Sequence, residues 1–158
     1  MSEIQPRTPF GRTIFCDDIR QEIGGKISLI GVYAGGIFVL GDPPYTIPKF
    51  CMLVEYMEGL NANSPPISLQ VFLPGDLDQE PSLKFDLPTP PNEIPIDPFL
   101  GTEAHIGNRI PIILAPLVIP SEGRIKVRMK RGVDYVALGS LVIRTAQSID
   151  ENGNPVIR

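Results

Sequence analysis

The chain has 158 residues, of which 42% are hydrophobic and 20% are charged, and its formal net charge is −4 at neutral pH. This length suits one domain with its own core, and the negative charge excludes a protein whose whole surface is basic and adapted to nucleic acid. Eighteen prolines and 15 glycines interrupt the chain every few residues, which helices do not tolerate and which is typical of an all-β protein.

The two ends of the chain differ in composition from its middle. Residues 1–11 are polar, contain two prolines and lack the apolar region of a secretory signal, so we predict a flexible arm there. Residues 12–144 form the predicted domain, and residues 145–158 form a polar tail that we expect to be frayed. Because no apolar run approaches the roughly 20 residues that span a membrane, we expect a cytoplasmic protein without a membrane span.

The first predicted hairpin joins residues 12–19 to residues 27–33, and both segments are rich in β-branched and aromatic side chains. Gly24 and Gly25 lie between them and tolerate the positive φ angles of a two-residue type I′ turn. A looser loop over residues 20–25 is the alternative.

The second strand of this hairpin alternates clearly at its start. Ile27, Leu29, Gly31 and Tyr33 share one face, because successive side chains of a strand point to opposite sides. We predict that Leu29 belongs to the core. A glycine inside a strand, here Gly31, indicates that another backbone or a large ring comes close to it.

The middle of the chain contains three predicted strands and one segment that is rich in proline. Residues 49–57 predict a central strand, because apolar side chains lie on both of its faces, with Phe50, Met52, Val54 and Tyr56 on one side and Cys51 and Leu53 on the other. Residues 67–73 and 82–87 have one apolar face, as in an antiparallel sheet. Residues 87–98 carry too many prolines for a central strand. They predict either a loop that crosses between sheets or a strip that binds a partner.

The last third of the chain predicts three more strands. Residues 110–119 are apolar but contain two prolines, which favours a bulged or edge strand, and residues 124–130 and 133–144 form the last two. Together these patterns predict an all-β fold, a two-sheet antiparallel β-sandwich of eight or nine strands, Ig-like or C2-like. An open β-barrel is the alternative.

Two segments carry a resemblance to a known family. Residues 16–33 read CDDIRQEIGGKISLIGVY, and residues 123–127 read GRIKV. The first resembles the opening of a family of uncharacterised bacterial and phage-associated proteins, which have an aspartate, a Gly-Lys pair, and an apolar strand that ends in glycine and an aromatic residue. The second resembles their closing hairpin. The resemblance implies a small β-sandwich and supplies no site residue, because the family has no assigned activity.

Asp17, Asp18 and Glu22 form a dense acidic cluster beside the first predicted turn. Ca²⁺ requires six to eight oxygen ligands, usually from carboxylates on converging loops. Other predicted turns carry Asp42, Asp76 and Asp78. We expect instead that Asp17 or Asp18 accepts hydrogen bonds from backbone N–H groups of the turn, and we predict neither a metal nor a cofactor.

The basic stripe comprises Arg124, Lys126, Arg128 and Lys130, with Arg131 beside it in sequence. These side chains could contact phosphate groups or a protein partner. They could equally cover the solvated side of an exposed strand, where they discourage edge-to-edge aggregation. No aromatic residue alternates with them in the sequence, so stacking on bases is not indicated and we predict no nucleic-acid binding.

Cys16, Cys51 and His105 are the remaining candidates for chemistry. We expect the cysteines to be reduced, buried thiols, because an isolated cysteine behaves as a small hydrophobic residue. A disulfide would require their two strands to be neighbours. One histidine and two strand cysteines do not indicate a zinc site. A nucleophile pair would require Cys16 and His105 to meet in space. The sequence contains no G-x-S-x-G or H-E-x-x-H motif and no phosphate-binding glycine loop.

Three functional hypotheses follow from these patterns. The first is a non-enzymatic interaction or assembly module of a bacterium or phage, which binds a protein partner or associates with itself. The second is a C2-like module that binds calcium or phosphate. The third is an enzyme that uses carboxylates or Cys16. Since fold alone does not assign function, the geometry of the candidate residues has to decide between them.

Overall fold

The computed structural model describes residues 8–59, 65–88 and 105–157, and within these ranges it contains strands and no helix. The predicted all-β class is therefore confirmed. In chain order the strands are β1 (Phe10–Gln21), β2 (Ile27–Val32), β3 (Gly36–Leu40), β4 (Tyr45–Ile47), β5 (Phe50–Gly59), β6 (Ile67–Phe72), β7 (Leu83–Asp86), β8 (His105–Leu114), β9 (Leu117–Ile119), β10 (Gly123–Arg131), β11 (Asp134–Ala146), β12 (Ser148–Ile149) and β13 (Pro155–Val156).

The predicted count of eight or nine strands is wrong, because the described residues form thirteen. The additional strands include β4, β9, β12 and β13, which have only two or three residues each. Segments of two or three residues are too short to show an alternating pattern. They are identified as strands only because they pair with each other, β4 with β9 and β12 with β13.

Two larger sheets contain most of the strand residues of the described chain. The four-stranded sheet has the order β2-β1-β5-β8, and the five-stranded sheet has the order β3-β11-β10-β6-β7. Adjacent strands pair antiparallel in the described residues, except that β3 pairs in parallel with β11. The expectation of a purely antiparallel arrangement is thus wrong for β3.

One hydrophobic core lies between the two larger sheets, an arrangement consistent with a β-sandwich. The four-stranded sheet contributes Phe50, Met52, Val54 and Tyr56 of β5, as the alternation predicted. The opposite face of β5 contributes to a smaller cluster, called here the outer cluster. The outer cluster consists of Cys16, Ile19, Cys51 and Leu53. With β1 on one side, β8 on the other and buried residues on both faces, β5 is the central strand that was predicted.

The five-stranded sheet is built on the alternation of β6 and β10. Ile125, Val127 and Met129 of β10 are buried in the core, in the predicted phase. The interpretation of this strand as an exposed edge is wrong, because β10 pairs with β11 on one side and with β6 on the other. Its basic outer face therefore does not protect a free edge.

The first hairpin closes through a longer loop than a two-residue turn. The last paired residues are Gln21 and Ile27, and the Glu22 backbone N–H donates to the Lys26 carbonyl at 2.8 Å. Gly24 and Gly25 both have positive φ, 82° and 74°, as two adjacent glycines at a turn suggested. The loop is therefore longer than the predicted two-residue turn, but it does not extend over residues 20–25 as the alternative had it, because Arg20 and Gln21 still pair with Ser28 and Ile27.

Leu29 does not belong to the main core. It is half-buried and packs against the outer cluster on the far side of the four-stranded sheet. The prediction that Leu29 is a core residue is wrong, because β2 is at the edge of its sheet and its apolar face meets only the small outer cluster.

The predicted boundaries of the arm and the tail also change. β1 begins at Phe10, inside the predicted arm, and β11 continues to the buried Ala146. The following segment forms the β12–β13 hairpin, whose turn is closed because Asp150 accepts hydrogen bonds from the backbone of Asn152 and Asn154. The segment expected to be a frayed tail is thus partly paired as far as the described residues extend.

The remaining predictions concern the strand that contains proline, the proline-rich segment, the N-terminal arm and membrane spans. The segment 110–119 is not one strand, because it is divided between β8, which contains Pro111, and β9. β8 is at the edge of the four-stranded sheet, as the prolines of the segment suggested. Most of the proline-rich segment 87–98 lies outside the described residues, as does the arm up to residue 7. In the parts of the chain that are described, no helix has the length and apolar character needed to cross a membrane.

Candidate functional site

The acidic cluster beside the first turn is engaged by neighbouring side chains. The Tyr33 hydroxyl donates a hydrogen bond to the Asp17 carboxylate, which lies over Gly31. A Cβ atom on Gly31 would overlap this carboxylate, and its φ of 65° also favours glycine. A group therefore does come close to Gly31, but the prediction that it is another backbone or a large ring is wrong, because it is the carboxylate of Asp17.

Asp18 is held by two cations. Lys49 Nζ lies 2.5 Å from Asp18 Oδ1, and Arg20 Nε lies 3.1 Å from Asp18 Oδ2. The hydrogen bonds from Lys49 and Arg20 lower the pKa of this carboxyl below its usual value. The expectation that Asp17 or Asp18 caps backbone N–H groups is not met, because their contacts are to side chains.

The other carboxylates proposed as calcium ligands have separate roles. Glu22 is exposed in the loop of the first hairpin, and Asp76 accepts hydrogen bonds from the backbone N–H groups of Leu73 and Ser82, at 2.8 and 2.9 Å. Asp78 lies 3.9 Å from Lys126 on the other sheet. Across the described ranges, no three His, Cys, Asp or Glu side chains converge in an arrangement that could hold a metal ion.

The basic stripe lies on the outer face of the five-stranded sheet, where Arg128 is tightly held. Its guanidinium lies 4.4 Å from the ring centre of Phe72 and 4.0 Å from that of Tyr135. It also donates to Gln70 Oε1 at 2.8 Å and to the Asp78 carbonyl at 2.6 Å. Aromatic residues therefore do interleave with the stripe in space, although none does in sequence.

Two further members of the stripe contact neighbouring polar groups. Arg124 donates to the Ser140 hydroxyl at 3.3 Å, and Lys126 lies near the Asp78 carboxylate. These contacts, together with the engaged Arg128, favour a structural role for the stripe over phosphate binding. Arg131 is different, because it lies on the inward face of β10 and pairs with the buried Glu58, 2.6 Å between Nε and Oε2.

A second group of charges lies on the outer face of the four-stranded sheet and was not predicted. Arg12, Glu55 and Arg109 stand side by side on β1, β5 and β8. Glu55 Oε2 accepts from Arg12 Nε at 2.7 Å, and Glu55 Oε1 accepts from Arg109 Nε and a terminal nitrogen at 3.1 and 2.8 Å. Hydrogen bonds from Arg12 and then Arg109 outweigh the effect of burial and lower the pKa of Glu55.

Apolar side chains flank these three charges. Phe10 and Met57 are paired on β1 and β5, and they are 54% and 40% exposed. Together with Arg12, Glu55 and Arg109 they border a surface cavity of about 550 Å³. We call these five residues the arginine–glutamate patch. No sequence signal could have indicated it, because its members come from three strands far apart in the chain.

The chemically reactive candidates are only partly brought together. Cys16 and Cys51 are opposite residues of β1 and β5, and both are free thiols. His105 pairs through its backbone with Gly59, while Cys51 pairs with Ile113 at the other end of β8. At about 3.3 Å per residue, roughly 25 Å of strand separates the two positions. The Cys16–His105 pair is therefore not assembled in this fold.

Comparisons with known proteins add no assignment. No protein-family model, no curated protein and no solved structure matches this chain.

Proposed function

We propose that the protein is a non-enzymatic interaction module with a two-sheet sandwich fold, and that its partner-binding surface is the arginine–glutamate patch. The observation that carries this proposal is the combination of two exposed arginines and two exposed apolar side chains around one cavity. Arginine and aromatic residues are the types that contribute most to protein–protein binding energy. The resemblance of residues 16–33 to phage-associated proteins is compatible with such a role.

The charge of the patch selects the chemistry of the partner. Arg12 and Arg109 carry two positive charges against the single negative charge of Glu55, on a chain whose net charge is −4. The patch is thus locally positive on a negative molecule. We infer that the partner is a protein that presents a carboxylate beside an apolar side chain. The carboxylate would approach the guanidinium groups, and the apolar group would cover Phe10 and Met57.

The arrangement of Glu55 also supports binding rather than catalysis. Its carboxylate holds both guanidinium groups from the middle strand, which fixes their orientation before a partner arrives. Such preorganisation lowers the entropy lost on binding. A carboxylate paired with two arginines and with a lowered pKa is a poor general base at neutral pH.

The proposal can be tested with two variants that remove the same amount of charge. Arg12→Gln with Arg109→Gln alters the patch, and Arg124→Gln with Lys126→Gln alters the outer face of the other sheet. Each is immobilised beside the wild type and exposed to extract of the cells that encode the protein. We expect a protein that is retained by the wild type and by the control, is lost from the patch variant, and dissociates as salt rises.

Hydrogen exchange then locates the contact, and sedimentation identifies self-association. With the purified partner bound, protection should concentrate on Phe10–Arg12, Glu55–Met57 and residues 107–109. If the wild type instead forms a dimer that the patch variant lacks, the partner is a second copy and the patch is still the interface. Equal retention by all three proteins, or loss only from the control, would refute the assignment.

A further inference from the structure

Cys16 in β1 and Cys51 in β5 stand directly opposite each other in the antiparallel ladder. Opposite residues in such a ladder have Cα atoms about 4.5 or 5.5 Å apart, depending on the hydrogen-bond pattern. Cysteines joined by a disulfide have Cα atoms about 4.4–6.8 Å apart. Either spacing lies within the range of Cα separations that a disulfide bridges.

The two side chains also occupy the same small space. Both belong to the outer cluster, and both are fully buried. Cys16 Sγ donates to the Asp18 carbonyl and Cys51 Sγ donates to the Asp17 carbonyl, each at 3.5 Å. The two thiols thus share one buried cluster on one face of the sheet and contact consecutive residues of β1.

We propose that Cys16 and Cys51 are a reversible dithiol–disulfide pair that links β1 to β5 when a low-molecular-weight disulfide such as oxidised glutathione oxidises it. One cysteine loses its proton and its thiolate attacks a sulfur of the reagent, releasing one glutathione thiolate. The second cysteine then attacks the protein sulfur of the mixed disulfide and releases the second glutathione. Two protein thiols are oxidised, and one reagent disulfide is reduced to two thiols.

The surroundings of the pair make this reaction slow in the folded protein. Burial, followed by the nearby Cys51, raises the pKa of the Cys16 thiol to about 11, so the reactive thiolate is scarce at neutral pH. Ile27 and Leu29 of the edge strand β2 pack against the outer cluster. Access for the reagent therefore requires β2 to separate from β1, a local opening that needs less energy than unfolding.

The experiment equilibrates the full chain in anaerobic buffers with increasing ratios of oxidised to reduced glutathione. Maleimide then blocks the free thiols, and the mass of the intact protein counts them. We expect the two thiols to disappear together, and a peptide map to show the link between Cys16 and Cys51. The oxidised protein should melt at a higher temperature than the reduced one, since the link restricts the unfolded chain.

Matched controls separate the disulfide from other oxidation. Cys16→Ala and Cys51→Ala should each keep one thiol or form a glutathione adduct, with no rise in melting temperature. A second series refolds the wild type from denaturant in the same buffers, which removes the barrier to access. Two free thiols after refolding in the most oxidising buffer, or a disulfide only between two chains, would overturn the proposal.

Discussion

Glu58 of β5 and Arg131 of β10 form an ion pair across the core that connects the two larger sheets, with 2.6 Å between Oε2 and Nε. The side chain of Glu58 is 1% exposed and that of Arg131 is 20% exposed. Tyr56 donates a further hydrogen bond to the same Glu58 oxygen at 3.0 Å. Among the described residues, the other oxygen of Glu58 has no hydrogen-bond partner. Arg131 therefore compensates the charge of this buried carboxylate.

Replacement of Arg131 with methionine should destabilise the protein by about 3–5 kcal/mol, because it leaves a buried carboxylate without its cation. Urea denaturation measures the loss. Arg124→Met is the control, since Arg124 is exposed on the same strand and its loss should change stability by less than about 0.5 kcal/mol. The double variant Arg131→Met with Glu58→Met should recover part of the stability. A similar loss for Arg124→Met and Arg131→Met would contradict the importance of the buried pair.

Gly31→Ala should destabilise the protein more than Gly24→Ala does. Both glycines have positive φ, 65° and 82°, where a side chain costs about 1–3 kcal/mol. Only at Gly31 does the new methyl group meet another group, the carboxylate of Asp17, whereas the space around Gly24 is open. Thermal denaturation of the two variants compares them. Equal losses would show that the Asp17 side chain moves aside at no cost.

Leu69→Ala and Leu29→Ala distinguish the main core from the outer cluster. Leu69 is fully buried between the sheets, so its truncation should cost about 2–5 kcal/mol. Leu29 is half-buried, and its truncation should cost about 1 kcal/mol. Equilibrium unfolding in urea gives both values. A loss at Leu29 as large as that at Leu69 would mean that β2 contributes to the main core after all.

Glu55→Gln should reduce the loss of stability that occurs as the pH falls. The hydrogen bonds from Arg12 and Arg109 lower the pKa of Glu55 below its ordinary value of 4.5 in the folded protein. Its contribution is therefore present above pH 4.5 and is lost as the pH falls through the lowered pKa. Because these pairs are exposed, we expect less than about 1 kcal/mol. Melting temperatures from pH 7 to pH 3 measure it, with Glu80→Gln, an exposed carboxylate on a turn, as the control.

Strand faces could be predicted from the sequence where alternation was strong. The inward residues of β5, β6 and β10 followed their patterns, because a strand has a two-residue repeat and the core selects one face. Leu29 was misplaced because alternation identifies an apolar face without saying how large the cluster is that covers it. Arg131 was grouped with the basic stripe, although its position in the alternation already placed it on the inward face.

Contacts between strands could not be predicted, and the arginine–glutamate patch depends on them. Arg12, Glu55 and Arg109 become neighbours only when the pairing of three strands is known. The same holds for the rings of Phe72 and Tyr135 beside Arg128, and for the opposed Cys16 and Cys51. A single sequence gives no signal for pairing register when the strands are separated by long intervening segments.

The parallel pairing of β3 with β11 has a consequence for synthesis on the ribosome. In this pairing Gly36 lies opposite Val142, and Leu40 lies opposite Ala146. Because β3 is far earlier in the sequence, it emerges from the ribosome long before the strand that it pairs with. Until β11 is translated, Ile37 has no place to be buried, and the early part of the nascent chain carries exposed apolar residues. Such segments are targets for chaperones and for premature association between neighbouring nascent chains. Folding of the five-stranded sheet is therefore expected to be completed only after β11 has left the exit tunnel.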